Sequence, residues 1–411
     1  MTDASNGVRP LDGVRVLDIA TFIAAPYCAT ILAEFGAEVI KIEQPGVGDP
    51  ARVFGTPTER VTSSTGRGDT LVWLSESRNK QSITLDLRSE KGADLFKRLV
   101  EKSDVVCENF RVGTLEKWGL GWETLRAINP RLVMLRVTGF GQTGPNAERP
   151  GFARIAQAFG GLGILAGMPD GPPVVPGSST LADYMSGMYG ALGVLMALRV
   201  AERTGAGQYI DIGLYESVFR VLDEMVPAYG RDGTVRERMG PATVNVCPHS
   251  HYQTRDGAWV AIACTNDKMF ARLAAVMGRP ELAADDRLGK VQARLAARPE
   301  VDGLVSAWTA GLTKDEVLQA CTEGEVPCGP LNTVADIFDD PQFAARDNLV
   351  RMMADEIGEV TVPSVVPRLS ATPGRIDHLG PPLGDANAAV YGGVLGLSDA
   401  EIESLKGEKV I

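Results

Sequence analysis

Histidine is scarce in this chain: three in 411 residues, at positions 249, 251 and 378. His249 and His251 form an H-x-H, but no acid or cysteine cluster stands beside them. A metal site is therefore not supported, and the pair reads as part of a loop over an active site or as plain surface. The six cysteines (28, 107, 247, 264, 321 and 328) contain no C-x-x-C pair, which leaves zinc-ribbon and thioredoxin-like chemistry without a motif. A chain of this size does not need disulfides to hold a core. An excess of positive charge is also missing. With 41 basic and 52 acidic side chains the net charge is −11, which argues against nucleic acid or an anionic membrane as the main partner. The N-terminus, MTDASNGVRPLDG, carries no apolar signal region. The longest apolar run, near Tyr184–Leu198, falls short of the roughly 20 residues that a membrane span requires. The expectation is a soluble, cytoplasmic protein.

What is present is a strongly apolar chain, 44% hydrophobic, long enough for two or three domains. VRVLDI (14–19) reads as a buried strand. Pro26 stands where a helix begins and Gly36 just beyond its end. AEVIKIE (37–43) follows as a second strand, so the first unit is βαβ and its sheet is parallel. Glu43 closes that strand as a ribose-binding acid does in dinucleotide folds. The intervening turn, ATFIAAP, lacks G-x-G-x-x-G, which argues against NAD. SITLDL, SDVVCEN and RLVMLRVTGFG continue the pattern, and residues 95, 96, 99 and 100 mark one face of a helix over Ser89–Lys102. Ligands of such sheets bind beyond the carboxyl ends of the strands. The turns at 21–26, 109–113 and 138–144 are thus expected to share one binding edge.

From about Gly205 the pattern changes. GQYIDIGLYESVFRVLDEM reads as a strand and a helix. HYQTRDGAWVAIACT reads as a hairpin around Asp256-Gly257. Helices are expected at 267–277, 301–310 and 314–323, the last opened by a Thr313/Glu316 capping box. Residues 1–225 and 340–411 are read as a large domain built from both chain ends and 246–335 as a smaller α/β domain. Residues 226–245 and 336–339 are read as linkers.

The segment STLADYMSGMYG (179–190) places an acid, Asp183, at the start of an apolar, glycine-containing helix. Thr180 and Asp183 have the spacing of a capping box, and acids are favoured in a first helical turn. The same position suits a nucleophile: a free Asp titrates near pH 4 and is ionised at neutral pH. Gly187, Gly190 and Gly193 each cost helix stability, about 1 kcal/mol relative to Ala. They imply close approach by another backbone or a ligand, or tight helix packing alone.

Together, PLDGVRVLDIATFIAAPYCATILAEFGAEVIKIEQPGVGDPAR, RNKQSITLDL, VCENFRVGTLEKWGLGW, INPRLVMLRVTGFGQTGP, LADYMSGMYGALGVLMAL and VPCGPLNTVADIFDDPQFAAR resemble the class III coenzyme A transferases, in this order and over almost the whole chain. The resemblance implies a Rossmann-like open parallel sheet, a smaller α/β domain and an interlocked dimer. It implies Asp183 as the nucleophile, passing through a mixed anhydride and an aspartyl-CoA thioester, with coenzyme A thioesters as substrates and no permanently bound cofactor or metal. CoA contacts map onto Ile23, Ala24, Gln44, Leu85, Arg88, Asn109, Phe110, Arg111, Lys117, Thr138, Gly139, Phe140 and Gly141. Backbone N–H groups near Ala24–Ala25 or Gly139–Gly141 are candidate donors to the tetrahedral intermediates.

Departures from the formyl-CoA transferases of that family narrow the substrate. Those enzymes have glutamine, arginine and lysine where Ile23, Gln44 and Thr138 stand, and a glycine-run flap that residues 240–251 lack. CPHSHYQTRDGAWVAIACTNDKMFARL instead resembles the succinyl-CoA-dependent branch acting on malate, citramalate or benzylsuccinate. A second carboxylate calls for an arginine, with Arg52 and Arg154 as candidates. Some members of that branch pair two related subunits, so either a homodimer or a heteromer with a paralogue is implied. Two other readings compete. An acyl-CoA racemase on this fold needs a histidine where Phe152 stands. A non-catalytic CoA-binding subunit would have no use for Asp183.

Overall fold

The apolar runs assemble into one sheet. The computed structural model describes residues 8–177 and 180–411. In it β1 (Arg15–Asp18), β2 (Glu38–Glu43), β3 (Lys80–Thr84), β4 (Val105–Glu108), β5 (Val133–Thr138) and β6 (Tyr209–Gly213) lie in the order β3-β2-β1-β4-β5-β6. Every pairing is parallel. The sixth strand is the YIDIG segment, which joins the same sheet although the sequence pattern changes just before it. β4 and β5 are buried at every position, as expected for strands covered on both faces.

Successive residues of these strands feed opposite layers. Val16, Val105, Val133 and Leu135 face α1 (Ala24–Glu34) and the later helix Leu181–Thr204. Leu17, Val106 and Met134 face α2 (Glu90–Val100) and the C-terminal segment through Tyr391 and Ile402. Ser89 Oγ caps α2 by accepting from Gly92 N–H at 3.0 Å. Its apolar stripe, Leu95, Phe96, Leu99 and Val100, is buried as its spacing predicts.

The helix that carries Asp183, α3 (Leu181–Thr204), has 24 residues, longer than its central apolar run suggests. By length and composition it is long and apolar enough to cross a membrane, which corrects the reading that no such segment exists. Its small-residue face is instead packed against α1 and the sheet. A Cβ at Gly187 would lie 2.8 Å from the Ala24 carbonyl oxygen, and one at Gly190 would lie 2.8 Å from Leu135 Cδ2. Gly187 therefore admits the backbone of α1 and Gly190 the Leu135 side chain of β5, and Asp183 lies near the start of α1 as a result. α4 (Leu214–Phe219) follows β6 directly.

The chain divides into two compact units. One comprises residues 1–162, 177–226 and 344–411, and the other residues 163–176 and 227–343. Three boundaries differ from the sequence reading, one of them at residues 336–343, which group with the second unit rather than forming a linker and the start of the large domain's second part. Residues 163–176 group with the second unit, because Gly240 N–H donates to Gly167 O at 3.0 Å and Arg238 Nη1 to Ile164 O at 3.1 Å. Residues 227–245 belong to that unit too rather than forming a linker, and a helix over Met225–Asp232 leads into them. The second unit holds an antiparallel sheet of β7 (His249–Gln253), β8 (Trp259–Ala263) and β9 (Cys328–Pro330). With it come α5 (Asp267–Val276), α6 (Arg298–Thr309) and α7 (Lys314–Glu323). The Thr313/Glu316 capping box of α7 is present. His249 and His251 lie on β7, opposite Ala263 and Ala261, and not in a loop.

Two glycines give a paired test. Gly187→Ala forces α1 and α3 apart and should lower unfolding free energy by about 1–3 kcal/mol. Gly303→Ala, in α6 with open space around its Cα, should raise it by about 0.5–1 kcal/mol. Urea denaturation of both variants reads the difference.

Candidate active site

Strand order reverses between β1 and β4, and the site is built where these strands end. The two turns are clasped by one side chain. Asn109 Oδ1 accepts from Thr21 N–H at 2.8 Å and Asn109 Nδ2 donates to Thr21 O at 2.7 Å. Behind it Glu108 is buried, accepting from Phe110 N–H at 2.7 Å and from Arg136 Nε at 2.7 Å. Burial pushes the Glu108 carboxyl up to about 7 even though Arg136 pulls it down. Asn109 thus joins two loops, and its amide is largely committed to that task.

The β1–α1 turn contains Phe22 at φ 61°, a conformation that costs a bulky residue about 1–2 kcal/mol. It is held by its N–H donating to Asp49 Oδ1 at 3.1 Å and by edge contacts with Phe54 and Phe152. The turn delivers the start of α1 to the site. There the N–H groups of Ala24 and Ala25 have no acceptor within the helix.

Asp183 sits in the first turn of α3, half-buried, at a cavity of about 270 Å³. Thr180 makes no side-chain cap, so the capping-box reading of this pair fails. Among the described residues no donor reaches the carboxylate. Burial alone raises its pKa from 3.8 to about 6, so the group is more basic than the sequence suggested. Ile23, Ala24, Asn109, Phe110, Arg111, Thr138, Gly139, Arg149, Phe152 and Asp183 line this cavity. Gly139 abuts Gly151 so closely that a Cβ there would lie 2.7 Å from the Gly151 Cα.

A second cavity of about 350 Å³ is lined by Gln44, Leu85, Arg88 and Trp118, and shares Thr21 and Phe110 with the first. The two cavities therefore adjoin at Thr21 and Phe110. Arg88, more than half exposed, pairs with Asp86 at 2.7 Å. Lys117, Phe140 and Gly141 line neither cavity. Lys117 is exposed, and Phe140 packs into a ring cluster with Phe159 and Tyr215.

Both arginines expected to hold a second carboxylate are displaced from that role. Arg154 is exposed and outside the lining. Arg52 is wholly buried, bound through Nε and Nη2 to the two oxygens of Glu43 at 2.7 and 2.8 Å and through Nη1 to Asp69 at 3.1 Å. It lies over Trp73, 3.7 Å from the ring centroid. Burial works against its charge, and the hydrogen bonds and field of Glu43 outweigh that. Glu43 is occupied in turn: it also accepts from Ser82 Oγ at 2.5 Å and Asp49 N–H at 2.8 Å. It is a structural acid, with no lone pair spare for a ribose.

The sequence reading missed Phe22, Phe152 and Arg149. The residue type of Phe22 gives no sign of its backbone conformation. Phe152 is 68% exposed at the cavity mouth and was noticed only as the absence of a histidine. Arg149 had a faint cue, its place just before Pro150-Gly151 after the β5 turn.

Removing Arg52 should therefore unfold the protein rather than alter acceptor choice. Arg52→Met leaves the buried Glu43 uncompensated, while Asp69 keeps Arg60 at 3.1 Å, and should cost about 3–5 kcal/mol. A fall in melting temperature, with the KM ratio between acceptor acids unchanged in the folded fraction, is the expected result.

The family model described as CoA-transferase family III matches residues 11–387. The beta subunit of succinyl-CoA–L-malate CoA-transferase from Chloroflexus aurantiacus is 57% identical over all of both chains. Succinyl-CoA–D-citramalate CoA-transferase from the same organism is 46% identical over 98% of each. A crystal structure of a CaiB/BaiF family protein from Brucella suis superposes with a TM-score of 0.82 at 37% identity, covering 94% of this chain and 99% of that one. A parallel sheet in this order, a carboxylate at its switch-point cavity and these similarities together identify the chain as a member of CoA-transferase family III.

Proposed function

We propose that this enzyme moves CoA from succinyl-CoA to a hydroxy-dicarboxylate such as malate or citramalate, with Asp183 as the nucleophile. The observation that carries the reading is Asp183 itself. It is a desolvated carboxylate without a hydrogen-bond partner among the described residues, placed at a cavity that adjoins a second one. The similarity to malate and citramalate transferases supports the choice of substrates.

The chemistry is a relay of acyl exchanges. An Asp183 oxygen attacks the thioester carbonyl and the CoA thiolate leaves, giving a mixed anhydride. The thiolate attacks the aspartyl carbonyl, succinate departs with the anhydride oxygen, and Asp183 carries CoA as a thioester. An oxygen of the acceptor carboxylate attacks that carbonyl and expels the thiolate again. The thiolate then attacks the acceptor carbonyl, which releases acyl-CoA and restores the Asp183 carboxylate. Each tetrahedral oxyanion needs donors, and the N–H groups at Ala24–Ala25 and Gly139 are the candidates beside the cavity.

Among the described residues no histidine, lysine, cysteine or second acid lines the Asp183 cavity. A racemase would need a second proton-transfer group on the opposite face of the α-carbon, and Phe152 supplies none. A purely structural subunit would have no reason to keep a desolvated carboxylate at this cavity. For assembly, we infer a second chain, identical or paralogous, against α3. Met188, Leu192, Leu195, Met196 and Val200 stand 43–60% exposed along one side of it. Native mass measurement should return at least two chains, and Leu195→Glu with Met196→Glu should return one.

The mechanism predicts a trapped intermediate and a pH signature. With succinyl-CoA, hydroxylamine should leave a hydroxamate at Asp183, seen by peptide mass spectrometry, and an acceptor panel should give malyl- or citramalyl-CoA. Absence of the modified peptide during turnover would overturn the assignment. The rate should fall about tenfold per pH unit below roughly pH 6 as Asp183 takes up its proton. Stability runs the other way. The folded pKa lies above the unfolded one, so the ionised group costs stability above about pH 6, and that cost disappears as pH falls toward 3.8. Asp183→Asn should abolish transfer, raise stability at alkaline pH by up to about 3 kcal/mol, and raise it little near pH 4.

A further inference from the structure

We propose that Arg149 binds the distal carboxylate of the acyl group, and so makes the Asp183 cavity selective for dicarboxylates over monocarboxylates of equal length. The inference rests on the transferase reading above and assigns a group that reading leaves unassigned. In a dicarboxylic substrate one carboxyl reacts at Asp183, and the other stays fully charged and must be matched as it leaves water.

Among the described residues two cations line the cavity, Arg111 and Arg149. Arg111 follows Phe110, a residue shared with the second cavity, and so stands where the two cavities adjoin. Arg149 lines the first cavity together with Ala147, Pro150, Gly151 and Phe152, none of which lines the second. Its guanidinium is steered but not neutralised. Nη1 donates to Asn146 Oδ1 at 3.2 Å, and the group lies 5.6 Å from the Phe140 ring centroid. Among the described residues no carboxylate pairs with it. Arg149 is exposed, whereas the buried arginines of the same unit, Arg52, Arg60, Arg78 and Arg136, each have an acidic partner within 3.1 Å. An arginine of this kind keeps a planar fork available for a carboxylate. A ring-supported, uncompensated fork in the same cavity as the nucleophile is what a second carboxylate requires. The same feature explains why neither Arg52 nor Arg154 is needed for the task.

The test compares succinyl-CoA with butyryl-CoA, which lacks only the distal charge, as donors for the full-length wild type, Arg149→Ala and Arg149→Lys. Loss of a charged hydrogen-bonded contact predicts a fall of roughly 10- to 100-fold in kcat/KM for succinyl-CoA in Arg149→Ala. Butyryl-CoA should be unaffected, and the lysine variant should fall between. Inhibition by the free acids gives a second reading that does not need butyryl-CoA to turn over. The Ki of succinate should rise in Arg149→Ala while that of butyrate does not. Equal losses with both donors and both acids, or no loss with any, would overturn the proposal. Failure of the transferase reading shows separately, as a wild-type enzyme that yields no Asp183 hydroxamate with succinyl-CoA.

Discussion

The contact on which the site depends is the one between Gly187 and the Ala24 carbonyl. Any side chain at 187 would meet that oxygen at 2.8 Å, so only glycine lets α3 lie this close to the first turn of α1. That closeness puts the Asp183 carboxylate in the cavity lined by Ile23 and Ala24. A carboxylate and candidate oxyanion donors are thereby arranged by helix packing, before any substrate arrives. Gly190 and Gly193 extend the same seam toward Leu135 on β5 and Ile210 on β6. The helix-propensity cost of three glycines is about 3 kcal/mol. The packing of a 24-residue helix on α1 and the sheet offsets it.

The other half of the site is set by charge buried beneath the strand ends. Asp18 takes Lys80 at 2.9 Å, Asp49 takes Lys41 at 2.8 Å, and Glu43 takes Arg52 with both oxygens. These pairs bridge strands β1, β2 and β3 to the loop that follows β2. Asp49 also receives the Phe22 N–H. An ion pair within the fold thus reaches the strained turn at the cavity. Such pairs contribute modestly to net stability but penalise any arrangement that leaves one partner alone. Through Asp49, which pairs with Lys41 and accepts from Phe22 N–H, they fix the geometry of that turn. Because Glu43 and Arg52 satisfy each other, the second cavity gains no charge from either, and Arg88 is the basic group left at its edge.

These facts divide what the sequence could reveal from what it could not. The strands of the sheet were legible because a strand buried on both faces is an unbroken apolar run, and RLVMLRVT or SDVVCE admits little else. Asp183 was legible because acid and glycines stand together in one helix. The length of α3 was not, since Arg199, Glu202 and Arg203 hide its last turns in a polar stretch that the apolar count omits. Arg52 was misjudged for a different reason. A lone arginine shows its charge in the sequence but not its partners, and Glu43 and Asp69 stand 9 and 17 residues away, joined to it only by the fold. Arg149 is the mirror case: among the described residues the fold brings no acid to its guanidinium.

The state of Asp183 answers the question its position raised. A capping acid at a helix start is stabilised as the anion by backbone N–H groups, which lowers its pKa and spreads its charge. Asp183 shows the opposite: its pKa is raised to about 6, with burial as the cause. An anion held without donors is more basic and more nucleophilic than a capped one. Yet a pKa of about 6 still leaves it largely ionised at neutral pH. The relay also requires that the aspartyl carbonyl be attacked in turn, which a tightly hydrogen-bonded, fixed carboxylate would resist. Desolvation without capping meets both demands, and the first turn of a glycine-packed helix is a place where the fold provides it.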